Sequence, residues 1–153
     1  MTKPAPIDLR VEATIPAPPE TVYDLVADIT RMGEWSPETT DAEWLGDATT
    51  AEVGARFKGT NALGKANWAT KPTITEAARG RAFAFKVPGK SGPVWRYEFE
   101  AVPGGTRVVE SVQQAAASPA IIRFIQRRNG VTDRAAHLRD GMHTTLANLA
   151  AAV

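Results

Sequence analysis

At 153 residues the chain is long enough to bury an ordinary core, and we expect a single domain over residues 1–153. The 18 Lys and Arg residues nearly balance 17 Asp and Glu residues, so the net charge of +1 provides no overall attraction to nucleic acid or to an anionic membrane. Cysteine is absent, which excludes disulfides and thiol chemistry, and the lack of an apolar leader or membrane-spanning run favours a cytoplasmic protein.

The first elements are a strand and a helix. In IDLRVEATI, apolar and polar residues alternate from Ile7 to Ile15, which predicts a strand with one wet face. The next segment, APPETVYDLVADI, opens with prolines and then places apolar residues at helical spacing, so we expect a helix from about Pro18 to Asp28. A second short helix is expected to end before Pro37, because the residue before a proline disfavours helix.

The middle of the chain reads as an antiparallel meander of about six strands. Its short apolar segments are separated by turn sequences, namely GDATTAEVG, ALGK, ARGR, PGKSGP and PGG. The segment ANWATKPTITEA is predicted as one strand, in which Pro72 marks a bulge or a sheet edge.

The C-terminal segment is predicted to form one long helix. Ser118 and Pro119 suit the N-cap and the first helical position, and apolar residues recur at roughly helical spacing as far as Leu149. Gly130 and Gly141 are the positions where this helix is expected to bend. A strand, a helix pair, a meander and a long final helix together predict an α+β fold.

The segments VEATIPAPPETVYDLVADITRMGEWSP, GARFKG and GGTRVVES, in this order and before a final helix, carry a family resemblance. The chain resembles the polyketide cyclase/dehydrase branch of the START-like (Bet v 1-like, SRPBCC) superfamily over almost its whole length. The resemblance implies a helix-grip fold, in which a seven-stranded curved antiparallel sheet wraps around the long C-terminal helix and two short helices after the first strand close one end. It also implies a hydrophobic cavity between sheet and helix, and no cofactor is expected.

Strand alternation indicates which side chains face that interior. Trp95, Tyr97 and Phe99 share one face of their strand, while charged residues occupy the other. Such aromatic residues commonly fill a solid core, and the alternative is that they line a ligand cavity. The residues predicted to bind a ligand are Phe57, Asn61, Trp68, Phe83, Phe85, Trp95, Tyr97, Glu110 and Met142.

Glu110 is the most informative polar residue. Alternation from Val108 and Val112 turns Glu110 inward, together with Gln114. A carboxylate on a buried face is costly unless it is paired or hydrated. Glu110 either has a structural partner or faces a cavity, and desolvation would raise its pKa and make it a candidate acid or base.

The segment RMGEWSPE poses a similar choice for Trp35. A tryptophan close to a glycine and a proline either packs into a corner of the core or lines the opening of a cavity. Packing is the favoured interpretation, because this segment links the short helices to the second strand.

Other candidate sites find less support. His137 and His143 are six residues apart, which is not the spacing of a metal-binding pair on one helix face, and no metal is expected. Asp133 and Asp140 flank His137 at helical spacing, which favours a solvated helix face. The arginines of IRFIQRRNGVTDR, including Arg134, are likewise interpreted as a solvated outer face that could meet an acidic partner.

Three functional hypotheses follow from these observations. In the first, the chain binds or carries a hydrophobic small molecule such as a lipid or polyketide. In the second, it is a polyketide cyclase or dehydratase that uses a pocket acid or base, although no catalytic motif is matched. In the third, it is a regulatory protein, for example toxin-like, that acts through a protein partner. A cavity of several hundred Å³ favours the first two hypotheses, and a filled interior favours the third. No catalytic residue and no oligomeric state is predicted.

Overall fold

A computed structural model of the protein describes residues 7–89, 92–114, 124, 126–130 and 133–153. Its described elements are eight strands, two α-helices and a six-residue 3-10 helix. The strands are β1 (Ile7–Ile15), β2 (Thr39–Trp44), β3 (Phe57–Leu63), β4 (Ala66–Thr70), β5 (Thr73–Ala78), β6 (Ala82–Lys86), β7 (Val94–Val102) and β8 (Gly105–Gln114). The helices are α1 (Pro19–Ala27), the 3-10 helix (Ile29–Glu34) and α2 (Arg134–Ala151), so the α+β class is confirmed.

The strands form two antiparallel sheets. The larger sheet has the order β1-β8-β7-β6-β5, and the smaller has the order β2-β3-β4. The two sheets remain joined where Arg56 bridges Thr73 and where the Phe57 amide donates to the Pro72 carbonyl at 3.2 Å.

Pro72 accounts for the difference between seven expected strands and eight observed strands. The segment predicted as one strand ends as β4 at Thr70 and resumes as β5 at Thr73. Proline has no amide hydrogen to donate to a strand ladder, so the chain changes sheets at this position instead of continuing in one.

The helix pair after β1 has the predicted form. Helix α1 follows Pro18, and the 3-10 helix is capped by Asp28, whose Oδ1 accepts from the Thr30 amide at 3.2 Å. A side chain that accepts from an amide of the first turn satisfies a donor that the helix itself leaves unpaired.

The predicted long C-terminal helix is interrupted at Gly130, one of the two positions where a bend is expected. Residues 126–128 are helical, but a turn follows, and Gly130 has a φ of 85°, which a continuing α-helix does not allow. Helix α2 starts afresh at Arg134, and Asp133 caps it by accepting from the Ala136 amide at 3.1 Å. Ser118 and Pro119, the predicted helix start, lie outside the described residues. Gly141 lies inside α2 without ending it.

The core lies between the sheets and the buried face of α2. That face consists of Leu138, Met142, Leu146 and Leu149, each at most 7% exposed. Their spacing of three or four residues places them on one side of the helix. They pack with apolar residues of the inner strand faces, which include Leu9, Val11, Ile15, Phe57, Phe83, Val108 and Val112.

Trp35 belongs to this core. It is 4% exposed, its carbonyl accepts from Asn148 Nδ2 at 2.9 Å, and the Arg31 guanidinium lies 5.1 Å from the ring centre. The preferred interpretation of Trp35 as a packing residue is therefore confirmed. Trp35 also lines the cavity described below, so packing and lining are not alternatives at this position.

Gly33 is required by a close approach of two backbone segments. A Cβ atom at Gly33 would lie 2.5 Å from the Thr40 carbonyl oxygen, and a backbone atom cannot move away as a flexible side chain can. We therefore expect Gly33→Ala to destabilise the protein by roughly 1–3 kcal/mol in urea unfolding.

Gly59→Ala is the matched control for Gly33→Ala. A Cβ atom at Gly59 would meet only Thr70 Oγ1, at an ordinary 3.7 Å. We expect its unfolding free energy to stay within about 1 kcal/mol of the wild type. Equal losses in the two variants would show that the contact with Thr40 is not the reason for Gly33.

Candidate functional site

A cavity of about 840 Å³ lies between the inner strand faces and α2. The sheets contribute residues of β2, β3, β4, β6, β7 and β8, and α2 contributes residues from Arg134 to Thr145. Several lining residues are exposed, including Asp140 and Thr144, so the cavity reaches the protein surface. Its volume is within the range of sites that hold a small organic molecule.

Eight of the nine residues predicted to bind a ligand line this cavity. They are Phe57, Asn61, Trp68, Phe85, Trp95, Tyr97, Glu110 and Met142. The ninth, Phe83, is fully buried outside the lining and packs edge-on against Tyr23, at 6.4 Å between ring centres. Strand alternation places Phe83 on the same face as Phe85, but that part of the sheet is covered by α1. Ligand binding by the eight lining residues stays a prediction.

Aromatic side chains make up much of the wall. The rings of Phe57 and Phe85 meet edge-to-face with centres 5.2 Å apart. Trp95 lies opposite Phe85 in the register of β6 and β7, and Trp68 on β4 is 37% exposed. Aromatic side chains in a cavity wall bind apolar molecules through burial of surface, with few directional constraints.

Glu110 and Tyr97 form a hydrogen-bonded pair in this wall. The two residues are directly opposite in the register of β7 and β8, and the Tyr97 hydroxyl donates to Glu110 Oε2 at 2.8 Å. Glu110 is 2% exposed, and its second oxygen, Oε1, has no hydrogen-bond partner among the described residues. Val11 is the neighbour of Glu110 on the β1 side, so no cation compensates the carboxyl there.

This environment changes the acidity of both groups. Burial raises the pKa of Glu110 to about 8, and the hydrogen bond from Tyr97 opposes that rise only in part. Burial, and then the nearby Glu110 charge, raise the pKa of Tyr97 well above its ordinary value. Glu110 is consequently a neutral acid at and below neutral pH, because loss of its proton would leave a charge away from water.

Asn61 on β3 is another polar residue of the wall, and its side-chain amide has protein partners. Asn61 Oδ1 accepts from the Thr39 hydroxyl at 2.8 Å, and its Nδ2 lies 3.5 Å from the Gly59 carbonyl oxygen. The first of these bonds ties β3 to the start of β2, and the second lies within β3. The structure therefore supplies Asn61 with a structural role that does not need a ligand.

The sequence interpretation missed Arg134 and Glu38. The sequence pattern favours a solvated face for Arg134, but this residue lines the cavity, and its Nη2 is 2.7 Å from Glu38 Oε1 with side chains only 22% and 18% exposed. Its Nη1 is buried and has no partner among the described residues. One signal for this placement is present in the sequence, since Arg134 lies four and eight residues before Leu138 and Met142 on the same helix face.

The prediction that His137 belongs to a solvated helix face is also wrong. His137 is half-buried and lines the cavity. The described part of the chain contains no ion pair between His137 and Asp133 or Asp140. Asp133 instead caps α2.

A second concavity, of about 410 Å³, lies on the outer face of the larger sheet. Five of its charged residues pair with one another. Arg96 Nη2 is 2.8 Å from Glu76, and Arg96 and Arg107 also contact Glu98 and Glu100 respectively. Paired, half-exposed charges of this kind are typical of a solvated sheet face and define no ligand site.

The described ranges support neither a metal site nor a membrane-spanning helix. No group of three or more His, Cys, Asp or Glu side chains there is placed to hold a metal ion. Within the same ranges, no helix has both the length and the apolar content needed to cross a membrane.

Antiparallel strands that pack against a C-terminal helix and leave a cavity between strands and helix define the helix-grip, or Bet v 1-like, class of proteins. The family model described as "Polyketide cyclase / dehydrase and lipid transport" matches residues 6–153. The chain belongs to this family. No curated protein sequence shows significant similarity to it.

Solved structures confirm the fold over nearly the whole chain. Ginseng major latex-like protein 151 from Panax ginseng matches with a TM-score of 0.73 and 12% identity, covering 97% of this chain and 98% of the ginseng protein. Protein CV1439 from Chromobacterium violaceum has a TM-score of 0.70 and 18% identity over 95% and 96% of the two chains. TTHA0849 from Thermus thermophilus has a TM-score of 0.68 and 19% identity over 94% of each chain. At these identities the likeness concerns the fold alone.

Proposed function

We propose that the protein binds a hydrophobic small molecule, of lipid or polyketide type, in the cavity between its sheets and α2. The open volume of about 840 Å³ carries this proposal, because a core that served packing alone would be filled by side chains. The family description, which names both polyketide chemistry and lipid transport, supports a ligand of this kind.

The wall has the composition that such a ligand requires. Aromatic and aliphatic side chains provide most of the contact surface, while Glu110 and Arg134 each contain a buried polar atom without a protein partner in the described chain. A buried polar atom without a partner is costly, and a ligand group that supplies the missing hydrogen bond recovers that cost. The ligand is therefore expected to be mainly apolar with one or two polar groups.

Nile red, a neutral apolar dye, provides a first test of this proposal. We expect saturable one-to-one binding with a blue-shifted emission, because the dye would leave water for an apolar wall. Quenching of tryptophan fluorescence gives a second signal, since Trp35, Trp68 and Trp95 all line the cavity. Emission that rises linearly with dye concentration, without saturation, would contradict the proposal.

Cyclase or dehydratase activity is a second candidate function. The observation that favours it is the Glu110–Tyr97 pair, which combines an acid of raised pKa with a hydroxyl in an apolar cavity. Such a group can donate or accept a proton at a carbonyl or enol. With an aromatic poly-β-ketone as substrate, Glu110→Gln would abolish turnover and retain binding if this candidate is correct; in a binding protein, neither the wild type nor the variant would convert the ketone.

We propose a cytoplasmic location, because the chain has no cysteine and a reducing compartment suits such a protein. We also propose a single domain over residues 1–153, because this length suits one core. A regulatory role through a protein partner is less favoured, because it does not explain why the interior is left open.

A further inference from the structure

We propose that Glu110 acts as a hydrogen-bond donor inside the cavity and selects ligands that place a neutral carbonyl oxygen against it. This inference rests on the proposed binding function and adds the chemical class of the ligand group and its place in the cavity.

The geometry assigns different tasks to the two carboxyl oxygens. Oε2 accepts the Tyr97 hydroxyl hydrogen at 2.8 Å, so this oxygen already has its partner. Oε1 has no hydrogen-bond partner among the described residues. It is shielded from solvent and belongs to a residue of the cavity wall. The neutral form of the acid carries its hydrogen on one oxygen only, and the oxygen that accepts from Tyr97 is the one best suited to lack it.

The surroundings keep the carboxyl neutral. Its neighbours across the strands are Val11 and Tyr97, and burial is the largest cause of its raised pKa. Among the described residues, the other titratable or charged groups in the cavity wall are Glu38, Arg134, His137 and Asp140. Arg134 is paired with Glu38, and the described residues show no ion pair between Arg134 and Glu110.

A neutral donor in an apolar wall favours one ligand class. A ketone, ester or amide carbonyl offers an acceptor without bringing a second charge into the cavity. An alkane of the same length leaves Oε1 without a partner. The carbonyl compound therefore gains a single buried hydrogen bond that the alkane lacks, which corresponds to about a tenfold difference in affinity.

The test compares methyl nonyl ketone with undecane, each displacing Nile red, in the wild type and in two variants. Glu110→Gln keeps a donor of similar shape, and Glu110→Leu removes it. We expect the wild type and Glu110→Gln to prefer the ketone by about tenfold over the alkane, and Glu110→Leu to lose this preference. The infrared stretch of an isotope-labelled ketone carbonyl should lie at lower frequency in the wild type than in Glu110→Leu, which a merely structural role of Glu110 would not produce.

The pH dependence of the preference for the ketone provides a second test. As the pH rises through about 8, the wild type should lose its preference for the ketone, because the ionised carboxyl can no longer donate, whereas Glu110→Gln should keep it. Equal binding of ketone and alkane by the wild type would overturn the inference and leave the proposed function standing. Failure of both ligands and of Nile red to bind would overturn the proposed function itself.

Discussion

Replacement of Glu110 by glutamine is expected to stabilise the protein at alkaline pH and to have little effect below a pH of about 4.5. The reason is the raised pKa of Glu110, about 8 in the folded protein compared with an ordinary value of 4.5. Between these two values the folded state holds a proton that the unfolded state has released. Stability from this group is therefore fully present below a pH of about 4.5 and is lost as the pH rises to about 8.

The size of this effect follows from the two pKa values. The wild type loses roughly 4 to 5 kcal/mol of unfolding free energy through this one group between about pH 5 and about pH 9. Glutamine does not titrate, and its side-chain amide oxygen can still accept from the Tyr97 hydroxyl. The difference between variant and wild type should consequently grow by several kcal/mol across this range.

Urea unfolding at a series of pH values measures this difference directly. Every other titrating group is present in both proteins, so the comparison isolates Glu110. Glu43→Gln, at an exposed glutamate on β2, is the matched control and should follow the wild-type curve. Parallel curves for Glu110→Gln and the wild type would show that Glu110 is charged in the folded protein, contrary to the proposed donor role.

Filling the cavity from β3 is expected to abolish ligand binding while the fold is retained. Gly59 lies on the buried face of β3 between Phe57 and Asn61 and lines the cavity. A Cβ atom there meets only Thr70 Oγ1, at 3.7 Å. The phenylalanine ring of Gly59→Phe would therefore extend into open space and occupy volume that the ligand needs. We expect Nile red affinity to fall by at least about tenfold.

A control on the same strand distinguishes occlusion from general damage to the sheet. Thr60→Phe places the same ring on the opposite face of β3, at a residue that does not line the cavity. Circular dichroism should show a folded protein for both variants, and Thr60→Phe should bind Nile red like the wild type. Undiminished binding by folded Gly59→Phe would place the dye outside this cavity.

Local patterns were sufficient to predict much of the fold. Alternation gave the bounds of β1 as observed, and it turned Glu110 towards the interior, because side-chain direction in a strand depends only on parity. The break at Pro72 was not predicted as a change of sheet, since a proline in a strand fits a bulge, an edge or an end equally well.

The site was less predictable because it depends on contacts between distant segments. Tyr97 becomes the partner of Glu110 only through the register of β7 and β8. Arg134 reaches the cavity wall because Gly130 interrupts the helix and α2 then restarts with Arg134 in its first turn. Phe83 and Phe85 share a face by alternation, yet only the packing of α1 determines which of the two borders the cavity.

Native mass spectrometry of the purified protein, followed by organic extraction of whatever is bound, tests the central claim most directly. We predict a mass above that of the polypeptide and an extracted molecule that is largely apolar and carries a neutral carbonyl group. The mass of the polypeptide alone, together with no thermal shift across a library of hydrophobic compounds, would contradict the claim that the cavity is a binding site.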